Sequence, residues 1–202
     1  RGVPGSYRKT LAFGKKLVAA GIPAQVIMSI SSTDHSQIIR MIEHLDRIGL
    51  RNLKLNLITP SGRGEDMNFL MSNNIKQIMD FFAWIFESTP SWVMPTVPHA
   101  FIPVNRLEQR GSCPVLNLMG VLPDGTFSLC GVAFSRSEMA WGKFPEMTVG
   151  EAWENSPVYR SIRTRIPDKL EGVCGECIHR AGCRGSCVAS NLVAGGSVSS
   201  PN

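Results

Sequence analysis

Four cysteines fall within fourteen positions, as Cys174-x2-Cys177-x5-Cys183-x3-Cys187, and this density of thiols constrains the chain more than any other feature. Packing alone does not call for it; thiols so spaced bind or bridge. Cys113 and Cys130 lie upstream, and the first 112 residues contain no cysteine at all. That asymmetry marks a boundary between two regions.

Three chemistries compete for the thiols. Disulfides suit small secreted domains that cannot build a core, whereas 202 residues at 43% hydrophobic content can build one. Structural zinc would use Cys174/Cys177 and Cys183/Cys187 as two converging knuckles, with Cys113 and Cys130 as bystanders. Iron–sulfur ligation uses all six, because short spacings let neighbouring thiolates reach adjacent iron corners. Around the outlying pair the chain reads Cys113-x11-Gly125-x4-Cys130, with Leu116–Met119 leading into a Pro123-Asp124-Gly125 turn and Thr126–Leu129 leading out. This predicts a β-hairpin that brings Cys113 and Cys130 to one end. His179, between Cys177 and Cys183, is either a ligand, a donor to sulfur, or an exposed loop histidine.

The first region alternates in period. A helix is expected over Ser6–Ala20, with a serine cap, an apolar face of Tyr7, Leu11, Gly14 and Val18, and Gly21 as its stop. Val26–Ile30 reads as a buried strand, Ser36–Ile48 as a helix stopped by Gly49, Leu53–Ile58 as a strand, and Met71–Glu87 as a helix. Phe81, Phe82, Trp84 and Phe86 are expected in the core of the last helix rather than in a peptide groove. Such alternation is parallel α/β architecture, in which ligands gather beyond the C-terminal strand ends. Here those are the loops at residues 31–35 and 59–64, which make Asp34, His35 and Arg63 the cofactor-side candidates. Asp34 alternatively caps the following helix, and Arg63 could fork onto a carboxylate. Prolines at 90, 95, 98 and 103 predict a linker between the regions. Residues 147–153 read as a capped helix start whose Trp153 packs on its domain.

The string Cys-x11-Gly-x4-Cys, a gap, then Cys-x2-Cys-x5-Cys-x3-Cys resembles the SPASM domain, the auxiliary-cluster extension of many radical S-adenosylmethionine (SAM) enzymes that modify peptides and proteins. The resemblance implies that Cys113, Cys130 and Cys187 ligate a first auxiliary 4Fe-4S cluster, and Cys174, Cys177 and Cys183 a second. The first region is similar to the later part of the radical SAM partial barrel, on residues 1–6 and 59–63. The implied fold class is α/β: later strands and helices of a partial TIM barrel over residues 1–100, then a small α+β SPASM domain over residues 101–202. The chain opens on Arg1 and closes on Ser200-Pro201-Asn202. A longer parent is therefore expected, with the SAM-cleaving Cys-x3-Cys-x2-Cys and its own 4Fe-4S cluster upstream, and a seventh SPASM cysteine downstream. Gly131 stands where sulfatase-maturing relatives carry an aspartate base, which points to another substrate.

The implied activity is radical oxidoreductase chemistry on a peptide or protein side chain, in a precursor peptide for example, with flavodoxin or ferredoxin as electron donor. No run approaches the roughly 20 apolar residues of a membrane span. The net charge of +5 is scattered, so neither membrane nor nucleic acid is expected as a partner, and the cytoplasm is the expected compartment. The different-class alternatives are a zinc-binding interaction module and a non-catalytic iron–sulfur electron-transfer protein.

Overall fold

The computed structural model describes residues 3–58, 74–109, 113–133 and 136–201. They divide into two units, the first drawn from residues 1–58, 67–97 and 101–104, the second from residues 59–66, 98–100 and 105–202.

The first unit is a mixed α/β layer. Helix α1 (Ser6–Ala19) leads to strand β1 (Val26–Ile30), then α2 (His35–Ile48), β2 (Leu53–Leu57), α3 (Ile75–Ser88) and β3 (Val93–Thr96). The three strands are parallel in the order β1-β2-β3, with Val26 opposite Leu53 and Leu53 opposite Val93. Leu53 and Leu55 of the central strand are fully buried. Ile38 and Leu45 of α2 and Ile78, Phe81, Phe82 and Ile85 of α3 are buried too, each set at helical spacing. Both helices start on a side-chain cap: Asp34 accepts from the Ser36 amide, and Asn74 accepts from the Lys76 amide in a capping box with Gln77. Gly49 closes α2 at φ 80, in the left-handed region that glycine enters without cost.

Four expectations for this unit need correction. Ser6 is the first helical residue of α1 rather than its cap; Gly5, at φ 74, holds that position without a side-chain bond. The apolar face assigned to α1 is mostly open, since only Gly14 is buried and Tyr7 and Val18 are exposed. Strand β1 is likewise half open, with Ile27 59% exposed. Among the described residues β1 is a sheet edge, and its exposed Ile27 and Ser29 alternate with more buried neighbours, so one face of the strand is open. The proline-rich stretch is also not only a linker, because β3 runs through it, with Pro95 opposite Leu55 on the outer strand where a missing amide is tolerated. Residues 71–73 of the third expected helix and the loop at 59–64 lie outside the described residues.

A 3-10 helix, Val104–Gln109, leads into the second unit, and after Cys113 a 3-10 turn, Val115–Asn117, stands where a strand leading into the hairpin is expected. The hairpin itself is β4 (Gly120–Val121) against β5 (Thr126–Ser128), and β6 (Ala140–Lys143) adds a third antiparallel strand. Its turn is built by Asp124, whose carboxylate accepts from the Thr126 amide and hydroxyl, and by Gly125 at φ 88. Helices α4 (Val149–Asn155), α5 (Pro157–Arg165), α6 (Gly172–Gly175), α7 (Arg180–Cys183) and α8 (Val188–Gly195) complete it. Thr148 and Glu151 form the capping box of α4, and Ser156 followed by Pro157 opens α5. The core gathers Phe127, Leu129, Ala152, Tyr159, Ile162 and Val188. Within it the indole of Trp141 donates to the Ala152 carbonyl at 2.9 Å. No helix among the described residues is long and apolar enough to cross a membrane.

Candidate metal centre

All six thiols lie in the second unit and none forms a disulfide. Cys113, Cys130, Cys174 and Cys187 pack their sulfurs against the hydrophobic core. Cys177 is exposed, and Cys183 is half-buried.

Electrostatics sorts them into two groups. Burial pushes the Cys113 thiol up, and negative charge on Cys187 and on Cys130 pushes it further, while the Val115 amide acts the other way by donating to its sulfur. Burial also pushes Cys183 up, opposed by the amides of Ser186 and Gly185 and reinforced by charge on Cys174 and Cys177. Cys113 and Cys183 thus resist ionisation, as a thiol in a dry site does until a cation takes its proton's place.

The local chain explains the sorting. Cys113 precedes the turn Val115–Asn117, and Cys130 follows β5, with the backbone of Gly120 so close that a Cβ there would sit 3.5 Å from the Cys130 Cα. Cys174 lies in α6, and the Cys177 amide donates to its carbonyl at 3.4 Å. Cys183 ends α7, with its amide bonded to the His179 carbonyl at 2.9 Å. Arg184, Gly185 and Ser186 then all take positive φ, at 57, 78 and 61. Two of the three are not glycine, a strain that marks functional loops. The buried amide of Asn191 fastens this turn by donating to the Gly185 carbonyl at 2.8 Å. Beyond it, Cys187 caps α8. Sequence reading missed the turn, although Gly185 was a signal for it.

The candidates of the first unit have local roles. Asp34 caps α2, accepting from the Ser36 amide and hydroxyl at 2.9 Å each, which holds its carboxyl below the usual range. His35 stacks on Trp84, rings 4.0 Å apart and 4° from parallel, and on Phe81 at 5.4 Å. Arg63 lies outside the described residues. His179 donates its backbone amide to the Cys177 sulfur at 3.4 Å.

Among the described residues no three His, Cys, Asp or Glu side chains are gathered for a single metal ion. A cubane instead spreads its thiolates over separate iron corners, and the six free thiols are donors of the type it requires.

Residues 113–178 match the SPASM family, an iron–sulfur cluster-binding domain, and the chain resembles radical SAM/SPASM enzymes. It is 25% identical over 207 residues to the AdoMet-dependent heme synthase of Methanosarcina barkeri (strain Fusaro / DSM 804), an alignment covering 94% of this chain and 59% of that protein. It is also 25% identical over 200 residues to the mycofactocin maturase MftC of Mycobacterium ulcerans (strain Agy99), covering 95% of this chain and 52% of the relative. The chain thus spans little more than half the length of these relatives.

Proposed function

We propose that this chain is the C-terminal portion of a radical SAM/SPASM oxidoreductase and that its thiols hold two auxiliary 4Fe-4S clusters, Cys113, Cys130 and Cys187 at the first, Cys174, Cys177 and Cys183 at the second. The observation that carries the reading is the match of residues 113–178 to the SPASM family, an iron–sulfur cluster-binding domain, on a unit that holds six free thiols. Residues 1–100 are then the later part of a partial barrel, residues 101–202 the cluster domain. Asp34 and His35, which follow the end of β1, and Arg63 are the residues of this chain that would lie toward SAM and the third cluster of the intact protein. When bound, the clusters supply one-electron capacity, and this chain's part is to ligate, to keep water away and to position.

The substrate is a peptide or protein side chain, a reading supported by the name of the mycofactocin maturase. The heme synthase, matched at the same identity, favours a tetrapyrrole as the second reading. The electron donor is of the flavodoxin or ferredoxin kind, the compartment is the cytoplasm, and neither nucleic acid nor membrane is a partner.

Anaerobic reconstitution with iron and sulfide tests the cluster assignment. The expected product is brown, with roughly eight irons per chain, four for each cluster. Cys113→Ser and Cys183→Ser should each disturb the signal of one cluster and spare the other. A colourless protein that keeps about one zinc through the 174–187 thiols refutes the proposal in favour of a zinc module.

A further inference from the structure

Tyr159 is fully buried, yet its hydroxyl has no hydrogen-bond partner among the described residues. A phenol in a protein core ordinarily finds one. The ring is held firmly: Trp141 meets it edge-on at 5.3 Å, Trp153 lies at 4.7 Å, and the Arg163 guanidinium sits 5.0 Å from its centroid. The side chain therefore cannot swing out to satisfy itself elsewhere. Cys130 and Cys113 both pack against the core to which Tyr159 belongs.

We propose that, once the first auxiliary cluster is bound, the Tyr159 hydroxyl donates a hydrogen bond to one of its sulfurs and thereby raises the reduction potential of that cluster. The inference rests on the two-cluster reading above. A phenol is a good donor, and thiolate or bridging sulfide is an acceptor whose charge grows on reduction. The bond is therefore stronger in the reduced form, and a donor fixed at this place favours that form. Tyr159 acts through the sulfurs, so it is a positioning residue.

The test uses the full chain, reconstituted anaerobically, with Tyr159→Phe beside it. The variant should bind the same iron and sulfide. In a redox titration followed by electron paramagnetic resonance, one cluster should shift to more negative potential by about tenfold in its reduction equilibrium, about 59 mV for a one-electron couple. The other should not move. A purely structural tyrosine would leave both potentials unchanged, and that result overturns the proposal. A second readout does not require the variant to fold. The sequence has two tyrosines, so in a Tyr7→Phe background ring-deuterated tyrosine labels Tyr159 alone. Its deuterons should couple to the reduced first cluster in electron–nuclear double resonance, and no coupling refutes the placement. Wild-type chain that takes up no iron refutes the cluster reading and the donor role together; wild-type chain that loads while Tyr159→Phe titrates unchanged refutes the donor role alone.

Discussion

Gly125→Ala should strip the second unit of much of its stability, because two separate costs meet at one residue. Gly125 sits at φ 88 in the β4–β5 turn, and a non-glycine residue held in that left-handed region costs about 1–2 kcal/mol. A Cβ there would also lie 2.6 Å from the Phe144 carbonyl oxygen, which is backbone and cannot rotate away. Relieving such a contact costs about 1–3 kcal/mol by analogy with overpacked cores. It also strains the bond from the Phe144 amide to the Gly125 carbonyl, 2.9 Å long, that ties the turn to the end of β6. The sum is about 2–5 kcal/mol, and at about 4–8 °C per kcal/mol for a domain near 100 residues the midpoint should fall by at least about 8 °C. Calorimetry of the full chain gives the midpoint, and hydrogen exchange at the Phe144 amide locates the loss. In the two-cluster reading Cys130, which follows this hairpin, and Cys113 ligate the first cluster, so iron uptake should fall toward about half, with that cluster missing. Gly131→Ala is the control: nothing lies within 4 Å of its Cβ position, and a change within about 0.5 kcal/mol is expected. Gly125→Ala melting within 2 °C of wild type on the calorimeter's scale, roughly 0.5 kcal/mol or less, with full iron content refutes the account of the turn.

Trp141→Phe leaves the Ala152 carbonyl without its buried indole donor, a loss of about 1–3 kcal/mol that should appear in urea denaturation with an unchanged slope. Asn191→Ala removes the hydrogen bond to the Gly185 carbonyl in the left-handed turn between Cys183 and Cys187, and iron quantitation should show loss from both clusters because, as proposed, the turn joins one ligand of each. Asp34, Asp124 and Glu151 are held below their ordinary values of 3.8, 3.8 and 4.5 by hydrogen bonds from Ser36, Thr126 and Thr148. Their stabilisation is present in full above those ordinary values and is lost as pH falls through the lowered folded-state ones. Circular dichroism in acid should therefore show Asp124→Asn losing less stability than wild type over that window.

Elements whose burial has a period were legible in the sequence. Helices α2 and α3 carry apolar residues at helical spacing with a glycine or a polar cap at the ends, and the turn Asp124-Gly125 announces a hairpin by its chemistry. What escaped were elements made by tertiary pairing. Strand β3 is four residues long and contains Pro95, which reads as a linker until β2 supplies its partner. Strand β6, Ala140–Lys143, has no alternation to detect. The open outer faces of α1 and β1 were misread because periodicity reports that a face is apolar without reporting what covers it. At the metal centre the residue types and spacings named the thiols. Tyr159 was not visible, since a tyrosine in a short helix carries no sign that its hydroxyl lacks a partner; the Ser156-Pro157 start of α5 was the nearest clue.

The separation of Cys183 from Cys187 shows how a spacing acquires meaning only through backbone conformation. On a continuous helix, residues four apart share a face about 5–6 Å from one another, and the two thiols would join one site, as the paired knuckles of a zinc centre require. Here α7 ends at Cys183, and three consecutive residues at positive φ reverse the chain before α8 begins. In the two-cluster reading Cys183 joins Cys174 and Cys177, close to it in sequence, while Cys187, followed by the core residues Val188 and Ala189, joins Cys113 and Cys130 of a hairpin region more than fifty positions upstream. The first trio is therefore shaped by a folded core that exists without metal. The second rests on short helical turns and one exposed thiol, where ligand binding has more ordering to supply and should add more to local stability.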